Sequence, residues 1–280
     1  WMSHWNHRPS VVHCHDYHAG LIPFIMQHCY DYQNLKEVPT VLTIHNAQYQ
    51  GWMGWNQSHL IPRWDLSKKG LLDWNNTINP LAAAVKCASK ITTVSPSYML
   101  ELMHHANGLE SLFASEKNKC VGILNGIDHE VWNPATDTNL EEMYTVKTVM
   151  EGKQINKEKI CSQYGLDARL PLFVFIGRLV GEKAADVLPG AIYNAIQTYG
   201  TKASYMILGS GDPAVEHALS HLAASNPNIL QVYIGYNEIL SHALYAAADF
   251  LLMPSRVEPC GLNQLYAMRY GTVPMVRSTG

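Results

Sequence analysis

The chain has 280 residues, 47% hydrophobic and 15% charged, and its 20 basic and 23 acidic side chains leave a formal charge of -3. That apolar content excludes a disordered chain, and the length fits two ordinary domains or one large one. With no basic excess or block, no nucleic acid or anionic membrane is implied as a partner, and no apolar run reaches the roughly 20 residues of a membrane span.

The chain starts at Trp1 rather than Met and stops at Ser278-Thr279-Gly280 just after an apolar run, so both ends read as cut. Short β-branched runs then alternate with helical patterns. Ser10–His13, Val38–Ile44, Lys90–Val94 and Cys120–Leu124 read as buried strands, and Gly20–Tyr30, Leu81–Ala88 and Pro96–Ala106 as helices. In the second half, Leu172–Ile176, Ser204–Leu208, Ile229–Ile234, Phe250–Met253 and Val273–Val276 are expected strands. Ala184–Tyr199, Ala214–Ala224, Ile239–Ala247 and Leu262–Tyr270 are the expected helices between them. Asn133–Arg169 is polar, and its helical stretch Leu140–Val149 and charged Lys153–Lys159 read as a connecting segment outside any core. This predicts an α/β protein with parallel sheets: a first domain over 1–132, a connector over 133–169 and a second domain over 170–280. Six cysteines (Cys14, Cys29, Cys87, Cys120, Cys161, Cys260) are scattered without a C-x-x-C pair. They read as the reduced thiols of a cytoplasmic protein, or a plastid one if the source is a plant or alga.

Parallel sheets bind ligands at the carboxyl ends of their strands, so the residues following each strand are the candidates. HCHDYHAG, from His13 to Gly20, is either a metal cluster or a pair of sheet-end histidines (His13, His15) with His18 lining a cleft. His45, Asn46 and Tyr49 in TIHNAQYQG suit sugar hydroxyls and a ring face, although Asn46 and Gly51 also suit a turn. Asn125 in LNGID is a turn residue or a donor into a cleft. Arg178 and Lys183 follow FVFIG and would converge on an anion such as a diphosphate leaving group, unless they are two solvated charges. Gly209, Gly211 and Asp212 in LGSGDP allow close backbone approach to a nucleotide or simply a tight turn. In SRVEPCGLNQLYAMRYG, Gly261 and the amides of Leu262, Asn263 and Gln264 open a helix whose N-terminus suits phosphate. Glu258 beside it is either a site carboxylate or the cap of its own helix.

Taken together, HCHDYHAGL, TIHNAQYQG, TTVSPSYMLE, GILNGIDHEVWNP, FIGRL, LGSGDP and PSRVEPCGLNQLYAMRYGTVP resemble the bacterial glycogen synthase and plant starch synthase family over essentially the whole chain. The resemblance implies two Rossmann-like domains facing across a cleft (GT-B type), both incomplete here, and a retaining transfer of glucose from ADP-glucose to a growing α-1,4-glucan. It implies no metal or other cofactor. By position, His18 and Asn125 resemble the side chains that contact the donor glucose, and Arg178 and Lys183 the pair that neutralises the diphosphate. Tyr236 resembles the tyrosine of the base pocket, and Glu258 the essential carboxylate near the sugar. Cys260, Gly261 and Leu262 then lie along phosphate and glucose. Domain closure would exclude water, and retention without an evident nucleophile implies front-face attack assisted by the leaving phosphate. Departures are Ala184 where the family has glycine after its lysine, and Asn263 where threonine or serine is common. The family's Lys-x-Gly-Gly-Leu segment and upstream aspartate are absent, and the chain stops inside a Gly-Gly-Leu motif at Gly280. The competing readings are a related glycosyltransferase using UDP-glucose or another UDP-sugar, and a non-catalytic nucleotide- or glucan-binding fragment.

Overall fold

The structure is a computed structural model, and it describes residues 7–280. The chain divides into two compact units, one ending at Asn125 and the other running over Gly126–Thr279.

In the first unit, β1 (Val12–His15) leads through a 3-10 turn into α1 (Ile22–His28), then β2 (Thr40–Ile44). A short α2 (Lys69–Leu72) and a hairpin of β3 (Asp73–Trp74) and β4 (Thr77–Ile78) follow. Asn75 and Asn76 turn the hairpin, both at positive φ, as a two-residue turn between antiparallel strands requires. After it come α3 (Pro80–Cys87), β5 (Lys90–Thr93), α4 (Pro96–Glu101), α5 (Glu110–Ser115) and β6 (Cys120–Gly122). The four longer strands form a parallel sheet in the order β1-β2-β5-β6. Helix starts are set locally: the Asn79 side chain accepts from Ala82 N–H and that of Ser95 from Tyr98 N–H, each ahead of a proline in the first turn. Every residue of α3 except Lys86 is buried.

The second unit opens with α6 (Val149–Tyr164), ended by Gly165 at φ 70°. It continues with β7 (Leu172–Ile176), α7 (Leu188–Tyr199), β8 (Ser204–Gly209), α8 (Pro213–Ser225), β9 (Leu230–Ile234) and α9 (Glu238–Ala247). β10 (Phe250–Met253), α10 (Leu262–Arg269) and β11 (Val273–Val276) complete it. Its parallel sheet has the order β11-β10-β7-β8-β9, with one apolar cluster under α7 and α8 and another under α6, α9 and α10. Among the described residues, no helix is long and apolar enough to cross a membrane.

Four expectations need correction. β1 starts at Val12, not Ser10, because its pairing begins with Val12 N–H on Pro39 O, and Pro39 has no N–H to extend the partner strand. α4 stops at Glu101 instead of Ala106, and the chain turns through Asn107 and Gly108 at positive φ. The helix expected from Ala184 starts at Leu188, because Ala184 lies in the left-handed region (φ 52°, ψ 33°) between two 3-10 turns, the second of which leads into the helix. The polar stretch before β7 is not outside the core: Leu140, Tyr144, Ile160, Cys161 and Leu166 are buried with β7, β8 and α9, and Leu140–Val149 is not a helix. α6 escapes a hydrophobic pattern because much of its buried face is polar. Asn156 bonds Glu141 and Glu142 N–H and the carbonyls of Glu142 and Gly152, while Lys157 pairs with Asp249 at 2.7 Å.

Candidate active site

In the second unit, the carboxyl ends of β7, β8 and β9 open into a cavity of about 490 Å³. Its floor is backbone, from Gly177, Gly209, Ser210 and Gly235, and its walls are aromatic: Trp132, Tyr236, Tyr245 and Tyr266. Trp132 stacks on Tyr266 at 3.8 Å and on His242 at 3.9 Å, so its ring is fixed from two sides. His242 is itself fixed, because its Nδ1 donates to the buried Asp137 carboxylate at 2.6 Å, which also accepts from Tyr270 OH at 2.5 Å. Burial alone would raise the Asp137 pKa, but the bonds from His242, Tyr270 and Asn139 N–H hold it below the usual range. A cleft with flat apolar walls and a backbone floor suits a planar heterocycle.

Arg178 reaches this cleft at the end of β7, exposed and paired with Glu182 at 3.2 Å. Asn263, one residue inside α10, also lines it and donates to Ile176 O at 2.5 Å, tying the start of α10 to the end of β7. Gly261 caps α10 at φ 82° without a side-chain bond, so the first amides of the helix are not taken by a capping side chain. Glu258 therefore does not cap its own helix. Its Oε2 instead accepts from Lys183 Nζ at 2.6 Å and from Ser255 Oγ at 2.8 Å, a charge pair well shielded from solvent ahead of an open helix start. Together these residues bring cations and free helix amides, groups whose chemistry suits an anion, next to a carboxylate.

Not every candidate sits on this cleft. Gly211 has its Cα facing Leu179, where a Cβ would lie 2.5 Å from the carbonyl oxygen, and Asp212 caps α8 through Ala214 N–H. Gly209 is needed for sheet packing as well as for the floor: a Cβ there would lie 1.9 Å from Gly177 O. Tyr236 is mostly exposed and donates to Glu238. Cys260 and Leu262 flank Gly261, both partly buried. His18 and Asn125 belong to the first unit. His18 is exposed and stacked on Tyr17 at 3.9 Å, and Asn125 donates its N–H to Val94 O. His13 bonds Thr43 Oγ1 at 2.7 Å, and His15 shares a hydrogen bond of 3.0 Å with His45. Burial, with His15 and His45 nearby, lowers the His13 pKa. Asp16 accepts from His45 N–H, and no group of three His, Cys, Asp or Glu side chains among the described residues is placed to hold a metal. The sequence reading assigned no role to Trp132, Tyr245, Tyr266 and Ser255; three of them lie inside the quoted motifs GILNGIDHEVWNP and SRVEPCGLNQLYAMRYG, and Tyr245 has the spacing of an ordinary core residue of α9.

A family model described as starch synthase catalytic domain matches residues 1–115, and one described as glycosyl transferases group 1 matches residues 170–280. A glycogen synthase of Flavobacterium johnsoniae is 53% identical over the whole chain, which covers 59% of that protein. One from Thermodesulfovibrio yellowstonii is 38% identical over 97% of the chain and 55% of its own length. The catalytic domain of starch synthase IV from Arabidopsis thaliana, solved bound to ADP and acarbose, superposes with a TM-score of 0.85 at 33% identity, covering 97% of this chain and 57% of that one. The chain thus spans somewhat over half the length of the relatives it matches. Both halves are matched by these models, and over nearly its whole length the chain is similar to bacterial glycogen synthases and to a plant starch synthase.

Proposed function

We propose that the complete protein transfers glucose from ADP-glucose to the non-reducing end of an α-1,4-glucan with retention of configuration. The observation that carries this reading is the Lys183–Glu258 pair ahead of the uncapped start of α10, in the unit that holds the aromatic cleft. The relative solved with ADP and acarbose supports a nucleotide donor and a glucan acceptor. In this reading the adenine enters between the Trp132 and Tyr236 walls, and the diphosphate meets Arg178, Lys183 and the amides of Leu262 and Asn263. Arg178, whose own side chain is exposed, exchanges the Glu182 carboxylate for a phosphate oxygen, one ion pair for another. Lys183 likewise turns toward the phosphate and leaves Glu258 free to face the sugar. Charge grows on the diphosphate as the glycosidic bond breaks, so each preorganised contact of this kind is worth about 3–4 kcal/mol of barrier. The test is glucose incorporation into glycogen by the complete protein, supplied with ADP-glucose or UDP-glucose at equal concentration. Faster transfer from ADP-glucose is expected. Preference for UDP-glucose would refute the donor, and no transfer from either would refute the reaction.

A further inference from the structure

Two loops carry the Lys183–Glu258 pair, and one side chain ties them together. Arg256 Nη1 donates to Gly181 O at 2.7 Å and to Asp186 Oδ1 at 2.5 Å, while Nη2 donates to Asp186 Oδ2 at 2.8 Å. The main chain adds a second tie, because Glu182 O accepts from both Arg256 N–H and Val257 N–H, at 2.8 and 3.2 Å. Gly181 and Asp186 bracket the turn that presents Lys183, and inside it Ala184 lies at φ 52°, a conformation that glycine adopts freely and alanine does not. A strained residue of this kind persists only where its surroundings over-determine it. Here the guanidinium grips both ends of the turn, and the same residue lies two positions before Glu258 on the opposite loop.

We propose that Arg256, with Asp186, is a positioning residue that holds the strained Lys183 turn and the Glu258 loop as one body, so that ammonium and carboxylate are in place before donor binds. This rests on the glucosyltransferase reading above. Both side chains of the Arg256–Asp186 pair are more than two-fifths exposed, which makes a mainly stabilising role unlike it. Its weight lies in geometry, because a displacement of about 1 Å in a reacting group costs up to ~100-fold in rate. Arg256 bonds neither the residues lining the cleft nor Glu258's carboxylate, and Lys183 acts most strongly as charge grows on the departing diphosphate, so ground-state nucleotide affinity should depend on Arg256 far less than the rate does.

The experiment compares Arg256→Ala, Arg256→Lys, Asp186→Asn and Glu258→Gln with wild type in the complete protein, recording kcat, KM for ADP-glucose, ADP affinity and melting midpoint. Arg256→Ala and Asp186→Asn are expected to lose about tenfold or more in kcat, with KM and ADP affinity within about threefold of wild type. Arg256→Lys, which keeps the charge but not the fork, should fall between. If Arg256→Ala fails to fold, Asp186→Asn carries the same expectation, since it leaves the Gly181 bond and the main-chain tie intact. Near-normal kcat in both, while Glu258→Gln is inactive, overturns the proposal. So does a parallel fall of rate, affinity and melting midpoint, which marks a merely structural pair. Undiminished turnover in Glu258→Gln refutes the underlying reading instead.

Discussion

Asp137→Ala removes the buried anchor beneath the Trp132 wall. The carboxylate is 5% exposed and accepts from Tyr270 OH and His242 Nδ1 on one oxygen, and from Asn139 N–H and its side-chain amide on the other. Truncation leaves His242, 2% exposed, and the fully buried Tyr270 hydroxyl without their acceptor. Breaking a buried charged network by removing one member costs about 3–5 kcal/mol. Tyr270 OH and His242 Nδ1 lie 3.4 Å apart and can partly re-pair, which points to the lower end of that range, about 3 kcal/mol. Because His242 supports Trp132 at 3.9 Å, ADP affinity should fall as well. Urea denaturation of the complete protein, followed by circular dichroism, measures the first effect, and calorimetric titration of ADP the second. The pH dependence has a definite sign. The folded Asp137 pKa is depressed, so its contribution is present above the unfolded value near 4 and is lost as pH falls below it. The difference between variant and wild type should therefore shrink in acid. A loss under about 1 kcal/mol at neutral pH, the level of an exposed pair, would refute the reasoning.

Gly209→Ala forces a Cβ to within 1.9 Å of the Gly177 carbonyl oxygen, a backbone atom that cannot rotate away. It should cost about 2–3 kcal/mol and narrow the cleft floor, and an unchanged melting midpoint would contradict it. Lys153 is enclosed by Ala246 O at 2.8 Å, Thr272 Oγ1 at 2.7 Å and two further carbonyls at 3.3 Å. Burial pushes its pKa down from 10.5 to about 7, so the unfolded chain binds more protons between those values and stability from this group rises with pH across that window. Comparing melting midpoints of Lys153→Met and wild type from pH 7 upward should show that slope only in the wild type.

Most of the second unit was legible because its strands are buried parallel runs punctuated by Gly and Pro, so Leu172–Ile176, Phe250–Met253 and Val273–Val276 match residue for residue. In the stretch before β7, local pattern was overridden by tertiary bonding. α6 buries Asn156 and Lys157 by pairing them, which leaves no apolar stripe to read. The β3–β4 hairpin consists of strands of two residues each, below any periodicity. At the site, the strand ends exposed Arg178, Lys183 and Glu258 to inspection, because parallel topology dictates where loops converge. That Lys183 bonds Glu258 across 75 residues of sequence, and that Arg256 ties their loops, depends on a backbone turn at an alanine that no local rule anticipates.

The most direct test of the account is Glu258→Gln in the complete protein, assayed for glucose transfer from ADP-glucose and, separately, for ADP binding. Lys183, Ser255 and the start of α10 all remain, so ADP affinity should stay near wild type while transfer falls by at least ~100–1,000-fold. Near-normal transfer with intact binding would contradict the assignment of Glu258 as the carboxylate at the reacting sugar.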